Sequence, residues 1–300
     1  MDATDIKICQ LLLENSRLPY DDLAGKLGLS INAVHKRVRA LVDLGIIRAF
    51  IARPSLIARN AISIWIYGRS QSTRLHQAHL KLQKNDCTYW VAYAGGEFLY
   101  VGAYLHDISE LASYVTFVRD EAQMIDPTVG ILPSMPKRVS ADDLHKIDYQ
   151  IISSMHKDSR KPLADVASEL HVSARTVRNR LDRLIDERLI DLTVDFYPDA
   201  SNDIFSLLHL SLAPEASIAA TVMSLVENFS PNFLFAVPFS NLPNQIVSFM
   251  WTNTMKQLEE LRAKVETTKG INSVILNVLQ IGYSFETWRD KMIPERSNQW

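Results

Sequence analysis

Two short stretches of the sequence carry the residues with the clearest potential for chemistry. Residues 30–41 read SINAVHKRVRAL, and residues 173–184 read SARTVRNRLDRL. Arginine and lysine can donate hydrogen bonds to guanine edges, asparagine can pair with an adenine edge, and the cations can bind phosphates. Such residue types, gathered on one surface, indicate contact with duplex DNA.

Apolar residues recur through both stretches at the spacing of an amphipathic helix. Ile31, Val34, Val38 and Leu41 fall on one side of the first helix, and Val177, Leu181 and Leu184 on one side of the second. The candidate DNA contacts lie on the other sides and at the helix starts: Ser30, Asn32, His35, Lys36, Arg37, Arg39, Ser173, Arg175, Thr176, Arg178, Asn179 and Arg180. An ordinary solvated basic face is the alternative interpretation.

Each helix begins after a serine, which predicts an N-cap and leaves the helix N-terminus able to meet a phosphate. Asp182 departs from the basic pattern, because the first stretch has Arg39 at the equivalent place. The carboxylate could accept a hydrogen bond from a cytosine amino group, or it could weaken DNA binding by that half.

The two stretches belong to an internal duplication. With Asp5 aligned to Asp148, an offset of 143 residues, no gap is needed as far as Ile47 and Ile190. Identical pairs include Ser16 with Ser159, Arg17 with Arg160, and Pro19 with Pro162. Each copy predicts three helices and a short strand, a winged helix-turn-helix. In the first copy the helices are expected at 3–14, 20–27 and from Ile31, and the counterpart of the first helix is expected to begin near Ala141.

A second repeated pattern follows each copy. Strand-like and helix-like segments alternate in the order βαββαβ, which predicts a ferredoxin-like sheet with one helix-covered face and one face free to pack on another sheet. The predicted fold class is therefore α+β, with two winged helix-turn-helix domains alternating with two βαββαβ domains. The expected domains are 1–55, 60–138, 141–198 and 203–285, followed by a C-terminal extension at 286–300 that has no counterpart after the first βαββαβ domain.

Composition limits the classes of function. A net charge of −2 gives no overall field toward nucleic acid, so DNA binding must depend on local basic patches. Cys9 and Cys87 are expected to be free buried thiols, which fits a reducing compartment. The N-terminus does not read as a signal peptide, and no apolar run is long enough to span a membrane. We expect a cytoplasmic, nucleoid-associated protein.

The residues 2–50 resemble the winged helix-turn-helix of the leucine-responsive/asparagine-synthesis (Lrp/AsnC) transcription regulators. The resemblance rests on the NSR turn, the LA..LGLS and V..RV..L patterns, and GII before the wing. It implies sheet-to-sheet pairing of the βαββαβ domains, higher oligomers, and a small-molecule effector such as an amino acid. Here one chain would supply both halves, making an intrachain pseudo-dimer that reads two unlike half-sites. Pairing between chains is the alternative, and both kinds of pairing could operate.

The resemblance places the effector contact at the hairpin AGGEFLYVG, and therefore at Gly95, Gly96 and Glu97. The family usually has a glycine followed closely by an aromatic residue and an acid, whereas here Leu99 stands where the acid is expected. A simple tight turn is the alternative. The corresponding stretch of the second domain, VPFSNLPNQIV, has no glycine.

The sequence predicts no catalytic residues, no cofactor and no metal site. His76 and His79 could share a helix face, but no third ligand is evident. Sirohaem decarboxylases are built on the same frame, and they resemble one another through a His-Asn-Tyr stretch in the second strand. This chain has TYWVAYAGG and NFLFAVPFS there, without histidine. A DNA-architectural protein with little sequence preference is the more serious alternative to a specific regulator.

Overall fold

The computed structural model of the chain describes residues 1–133 and 144–298. It divides into two compact units, each built from separate stretches of the chain. The helical unit comprises Lys7–Ala61, Ser134–Tyr197 and Glu286–Trp300, and the sheet unit comprises Met1–Ile6, Ile62–Pro133 and Pro198–Phe285. Each unit thus collects the equivalent halves of the two repeats.

The first repeat contains the expected elements in the expected order, together with a short fourth helix that was not predicted. They are α1 (Ala3–Glu14), α2 (Tyr20–Leu27), α3 (Ile31–Asp43), β1 (Ile47–Pro54), α4 (Leu56–Arg59), β2 (Ile62–Arg69), α5 (Ala78–Leu82), β3 (Thr88–Ala94), β4 (Phe98–Leu105), α6 (Leu111–Ala122) and β5 (Thr128–Ile131).

The second repeat has the same order without the short fourth helix, and one more helix follows it. Its elements are α7 (Lys146–Met155), α8 (Leu163–Leu170), α9 (Ala174–Asp186), β6 (Ile190–Phe196), β7 (Ile204–Leu212), α10 (Ile218–Phe229), β8 (Phe233–Pro238), β9 (Gln245–Thr252), α11 (Met255–Glu266), β10 (Ile271–Ser284) and α12 (Trp288–Asn298). The expected start of α7 near Ala141 lies outside the described residues.

Capping and burial explain why the third helix of each repeat forms. The Ser30 hydroxyl accepts a hydrogen bond from the Ala33 amide at 3.2 Å, and the Ser173 hydroxyl accepts one from Thr176 at 3.0 Å. The apolar side of each helix is buried at Val34, Val38 and Leu41 and at Val177, Leu181 and Leu184, whereas Ile31, expected on the same side, is 52% exposed at the start of α3. Two orphan amides are thereby satisfied and the polar sides face outward.

The two wings join the helical unit together. Strands β1 and β6 pair antiparallel, with Ala52 opposite Leu192. Ala52 and Ala58 of the first repeat lie in one hydrophobic cluster with Ile151, Ile152 and Met155 of the second. The wing of one repeat therefore contributes to the core of the other, which makes the helical unit a single folded body.

The sheet unit is built around one eight-stranded sheet in the order β5-β2-β4-β3-β10-β7-β9-β8, in which every neighbouring pair is antiparallel. The 14-residue β10 joins the two repeats, because residues 271–278 pair with β7 and residues 279–284 pair with β3. The Ser240 amide, just beyond β8, also donates to the Ile131 carbonyl of β5 at 2.8 Å. Both ends of the sheet are thus connected.

Alternate residues of the strands pack on opposite sides. In β2, Ile64 and Ile66 are fully buried, and Trp65 and Tyr67 are 6% and 4% exposed. Trp65 and Tyr67 contact the Phe239 ring of the second repeat, with ring centroids 6.3 and 6.2 Å apart. A Cβ on Gly130 would lie 2.3 Å from that same ring, so the close approach requires glycine. The sheet face that the sequence analysis expected to be free for packing is covered by the other repeat.

Within the described residues, no helix is long and apolar enough to cross a membrane.

Candidate nucleic-acid interface

Helix α3 presents four of its predicted DNA contacts to solvent. Asn32, His35, Lys36 and Arg39 are all exposed. Arg39 is 3.8 Å from Asp43, but the two side chains are 78% and 69% exposed, and such a pair contributes little free energy. The Arg39 guanidinium therefore stays available to a phosphate or a base edge. Arg37 is half-buried at the flank.

Helix α9 presents a different set of exposed side chains. Arg175, Arg178 and Asn179 face solvent together with Asp182. Thr176 is also exposed, and its hydroxyl lies 2.8 Å from that of Ser173, so both belong to the cap of the helix. The two recognition helices share a frame and differ in the donors and acceptors that a DNA groove would meet.

Arg180 and its neighbour Arg183 are tied to the core of their own domain. Asp148, which is fully buried, lies 3.8 Å from Arg180 and accepts a 2.7 Å hydrogen bond from Arg183. Arg183 also pairs with Glu187 at 3.4 Å. Arg180 is half-buried as a result, and any phosphate contact that it makes would compete with Asp148.

Tyr20 was missed by the sequence analysis as a neighbour of the recognition helix. Its ring contacts the His35 ring with centroids 5.1 Å apart, and the Arg160 guanidinium lies 4.3 Å above the Tyr20 ring. A cation over an aromatic face is attracted to it. His35 is thus oriented from α2 and, through Tyr20, from the second repeat.

The turns that precede α3 and α9 show how one backbone shape is kept with different residues. Gly28 and His171 follow α2 and α8 with positive φ of 65° and 55°. Each amide hydrogen-bonds back into its helix, to Ala24 and Ala167 respectively. The left-handed turn therefore persists where the second repeat lacks glycine, and each recognition helix leaves its partner helix in the same way.

Comparison with known proteins supports this interpretation of both helices. A profile described as winged helix-turn-helix DNA-binding matches residues 1–48, and an AsnC-type helix-turn-helix domain matches residues 144–185. The regulator AldR of Mycobacterium tuberculosis is 32% identical over 123 residues, which cover 38% of this chain and 67% of AldR. The chain belongs to the Lrp/AsnC family. Two helix-turn-helix regions, one in each repeat, match within this one chain.

Other relatives match a shorter part. The HTH-type transcriptional regulator LysM of Sulfurisphaera tokodaii is 40% identical over 50 residues, which cover 17% of this chain and 36% of LysM. The chain thus spans about a third of the length of LysM and of a Pyrococcus furiosus regulator of which 34% is matched. All three of these curated relatives are named as transcription regulators.

One solved structure shares the whole two-repeat architecture. The crystal structure of the siroheme decarboxylase NirDL superposes with a TM-score of 0.64, covering 98% of both chains at 14% identity. At that identity the likeness shows the fold alone.

The hairpin that the family resemblance assigns to an effector is a tight turn. Gly95, Gly96 and Glu97 are exposed, and the last two have positive φ of 69° and 63°. The Glu97 carbonyl accepts from Ser70 at 2.9 Å, and the Gly95 amide donates to Val278 at 3.3 Å. A contact of this turn with an amino acid stays a prediction.

Potential metal ligands lie together at one place among the described residues. Ligand atoms of Cys87, His106 and Glu110 are within 4.8 Å of one another. His106 Nδ1 already lies 3.0 and 3.2 Å from the two Glu110 oxygens, and burial raises the pKa of the Cys87 thiol to about 12. His106 and Glu110 thus already pair with each other. His79, considered from the sequence, stacks on Tyr283 at 3.7 Å between ring centroids.

Proposed function

We propose that this chain is a sequence-specific regulator that reads an imperfect inverted repeat in duplex DNA with two unlike recognition helices. It would act at the nucleoid in the cytoplasm. One observation carries the proposal: α3 and α9 have the same cap and the same buried side, whereas their exposed residues differ. A helix that enters the major groove specifies bases through those exposed residues.

The two half-sites should therefore have different sequences. Arg175, Arg178 and Asn179 offer two guanidinium groups and one amide from α9, and Asp182 adds an acceptor. Asn32 and Lys36 offer an amide and an ammonium group from α3. Guanidinium donors favour guanine edges and amides favour adenine edges. We infer a half-site richer in guanine for α9 than for α3.

The pairing of equivalent parts within each unit supports a pseudo-dimer. In the sheet unit, β10 of the second repeat pairs with β3 of the first. In the helical unit, the wings β1 and β6 pair antiparallel. Strands β1 and β6 are equivalent in the two repeats, and antiparallel pairing of equivalent strands is what a two-fold axis produces. A two-fold axis in a DNA reader corresponds to an inverted repeat.

Selection from random duplex, followed by binding across a salt series, tests the proposal. If the protein is a specific regulator, the selection should recover one site with two unlike halves. The affinity for this site should stay higher than the affinity for random duplex as salt rises. A steep salt dependence without a preferred sequence would instead show an architectural protein. That outcome would overturn the proposal of sequence-specific binding.

Arg178→Ala is expected to relax base preference in the α9 half-site alone. Loss of a bidentate contact with guanine costs about 1–3 kcal/mol, roughly a 5- to 150-fold loss of discrimination at one base pair. Competition binding against the four base pairs at each position would measure it. Lys36→Ala should affect the other half-site only, and Lys256→Ala, on exposed α11, is the charge-matched control. Equal loss in both half-sites would contradict the assignment.

A further inference from the structure

The Ser-Arg turns of the two repeats, NSR at residues 15–17 and DSR at residues 158–160, meet each other inside the helical unit. The hydroxyl oxygens of Ser16 and Ser159 are 2.5 Å apart, both side chains are fully buried, and the two residues are 143 positions apart. This separation equals the offset of the duplication. A residue contacts its own equivalent only next to a two-fold axis. The serine pair therefore marks the pseudo-two-fold axis of the helical unit.

The arginine beside each serine reaches across that axis. Arg17 donates through Nη1 to the carbonyl oxygens of Ser159 and Lys161, the second at 3.0 Å. Arg160 donates through Nη1 to the carbonyl oxygens of Ser16 and Leu18, at 2.7 and 3.1 Å. The acceptors are equivalent under the same offset. We call Arg17 and Arg160, with the four carbonyls that they hold, the arginine clamp.

The electrostatics of the clamp make its geometry demanding. Burial is the main cause that lowers the pKa of Arg17, and the like charge of Arg160 lowers it further. Two guanidinium groups this close repel each other, and the carbonyl oxygens offset the repulsion only while both turns stay in place. Because hydrogen bonds from a charged donor are stronger than neutral ones, the clamp resists displacement of one turn from the other.

Each turn leads directly to the DNA-reading part of its own repeat. The Arg17 turn is followed by α2 and α3, and the Arg160 turn by α8 and α9. Each helix pair has buried side chains: Leu23 and Val34 are buried in the first repeat, and Val166 and Val177 lie in one hydrophobic cluster in the second. A shift of one turn would therefore move a whole recognition helix.

The clamp is not symmetric on its outer side. Arg160 lies 4.3 Å above the Tyr20 ring and 5.5 Å from the Phe50 ring, and Tyr20 contacts His35. The equivalents of these aromatic residues in the second repeat are Leu163 and Thr193, and the equivalent of His35 is Arg178. Arg160 is therefore linked through Tyr20 to His35, a predicted DNA contact. The second repeat has no aromatic residue at the positions equivalent to Tyr20 and Phe50, so Arg17 has no equivalent link through them.

We propose that Arg17 and Arg160 are positioning residues that fix the separation of the two recognition helices, and hence the half-site spacing that the protein accepts. Arg160 in addition orients His35 through Tyr20. The statement about half-sites rests on the proposed function. The statement about separation concerns the helical unit alone and can be measured without DNA.

Distances between spin labels test the separation in the full chain. Asp43 and Asp186 are equivalent exposed residues at the ends of α3 and α9, so Asp43→Cys and Asp186→Cys place labels on both helices. The wild-type clamp should give one narrow distance distribution. Arg17→Ala and Arg160→Ala should each broaden it, and Arg17→Lys, which can keep one carbonyl contact, should restore part of the narrowness. A distribution unchanged by both alanine variants would overturn the proposal.

Binding to DNA with varied half-site spacing tests the consequence. The wild-type protein should prefer one spacing, and either alanine variant should lose about tenfold of that preference, as expected for one charge-assisted hydrogen bond. Affinity for an isolated half-site should remain within about twofold. Preference retained at the wild-type level would contradict the role in spacing.

Tyr20→Leu is the matched control, because it installs the residue type of the second repeat. It should copy the effect of Arg160→Ala on base preference in the α3 half-site, while leaving spacing preference and label distances unchanged. Arg17→Ala should not alter that base preference. If the wild-type protein gave a narrow label distance but bound no DNA, the proposed function would fail and the positioning role would stand on the label data.

Discussion

His209 lies in an environment far from that of an exposed imidazole. It lies in β7, and its Nε2 atom is 2.6 Å from the Tyr100 hydroxyl of the first repeat. Asn277 donates to that same hydroxyl oxygen at 2.7 Å. The Tyr67 ring packs edge-on against the imidazole at 4.9 Å. Burial lowers the pKa of His209 to about 4.

Stability of the sheet unit should therefore fall as pH drops from about 6.5 toward 4. Between these values the unfolded chain binds a proton at His209 that the folded chain does not, so acid favours unfolding. The free energy of unfolding is expected to be about 2 kcal/mol lower at pH 5 than at pH 7.5 through this residue. Urea unfolding at both pH values, compared between the wild-type protein and His209→Gln, measures the difference. Equal pH dependence in the two proteins would contradict it.

Whether the position or contact of a single residue could be predicted depends on whether its cause lies nearby in the sequence or in the packing of distant elements. The caps Ser30 and Ser173 were predicted from the sequence and are confirmed, because a cap depends on amides three residues away. The outward positions of Asn32 and Arg178 follow from helical period alone. The contact of Arg180 with Asp148 was not predicted, since it depends on how α7 packs against α9. The clamp could not be predicted either, although the identical Ser-Arg pairs in both copies were its signal.

Helix α12 is the element that breaks the equivalence of the repeats. The sequence marked it as an extension without a counterpart, and the structure shows that it packs within the helical unit. Arg289 is 2% exposed and donates to the Pro54 carbonyl of β1 at 3.1 and 2.6 Å, and also to Asp191 of β6. The helix thus holds both wings through one buried side chain.

Replacement of that arginine should loosen the wings. Arg289→Met would leave the Pro54 carbonyl and the Asp191 carboxylate without their donor, which costs about 2–4 kcal/mol of local stability. Hydrogen exchange of the amides in β1, β6 and α12 should become correspondingly faster. Arg296→Met, on the exposed side of the same helix, is the matched control and should change exchange little. If the amides of β1, β6 and α12 exchanged equally fast in both variants, Arg289 would not hold the wings in place.

Elements themselves were largely predictable, and their partners were not. Apolar residues that recur every 3.6 or 2 residues predicted the three helices of each helix-turn-helix and the βαββαβ order, because burial of one face of an element imposes these periods. The pairing of β1 with β6 and of β3 with β10 joins segments that are far apart in the chain. Nothing in either strand alone specifies that partner. The length of β10 could have suggested it, because the strand extends beyond the stretch that pairs with β7.

The whole molecule is assembled by pooling equivalent parts of two repeats. The helical unit contains the helix-turn-helix regions of both repeats, and the sheet unit contains the βαββαβ elements of both repeats. Covalent linkage raises the effective concentration of one repeat for the other, which favours pairing within a chain over pairing between chains. It also allows the two recognition helices to diverge, because each half can be altered without the other. We infer that intrachain pairing is the state in solution.

A disulfide across the β3–β10 pair would distinguish the two kinds of pairing. Ala94 and Leu279 are opposite each other in that register, and directly opposed residues of antiparallel strands lie about 4.5–5.5 Å apart between Cα atoms, which a disulfide can span. Mild oxidation of the Ala94→Cys, Leu279→Cys double variant should produce a cross-linked monomer on a non-reducing gel, at every protein concentration. The two single variants should give no intrachain product. A covalent dimer from the double variant would show instead that the repeats pair between chains, and it would make the inverted repeat the site of two chains rather than one.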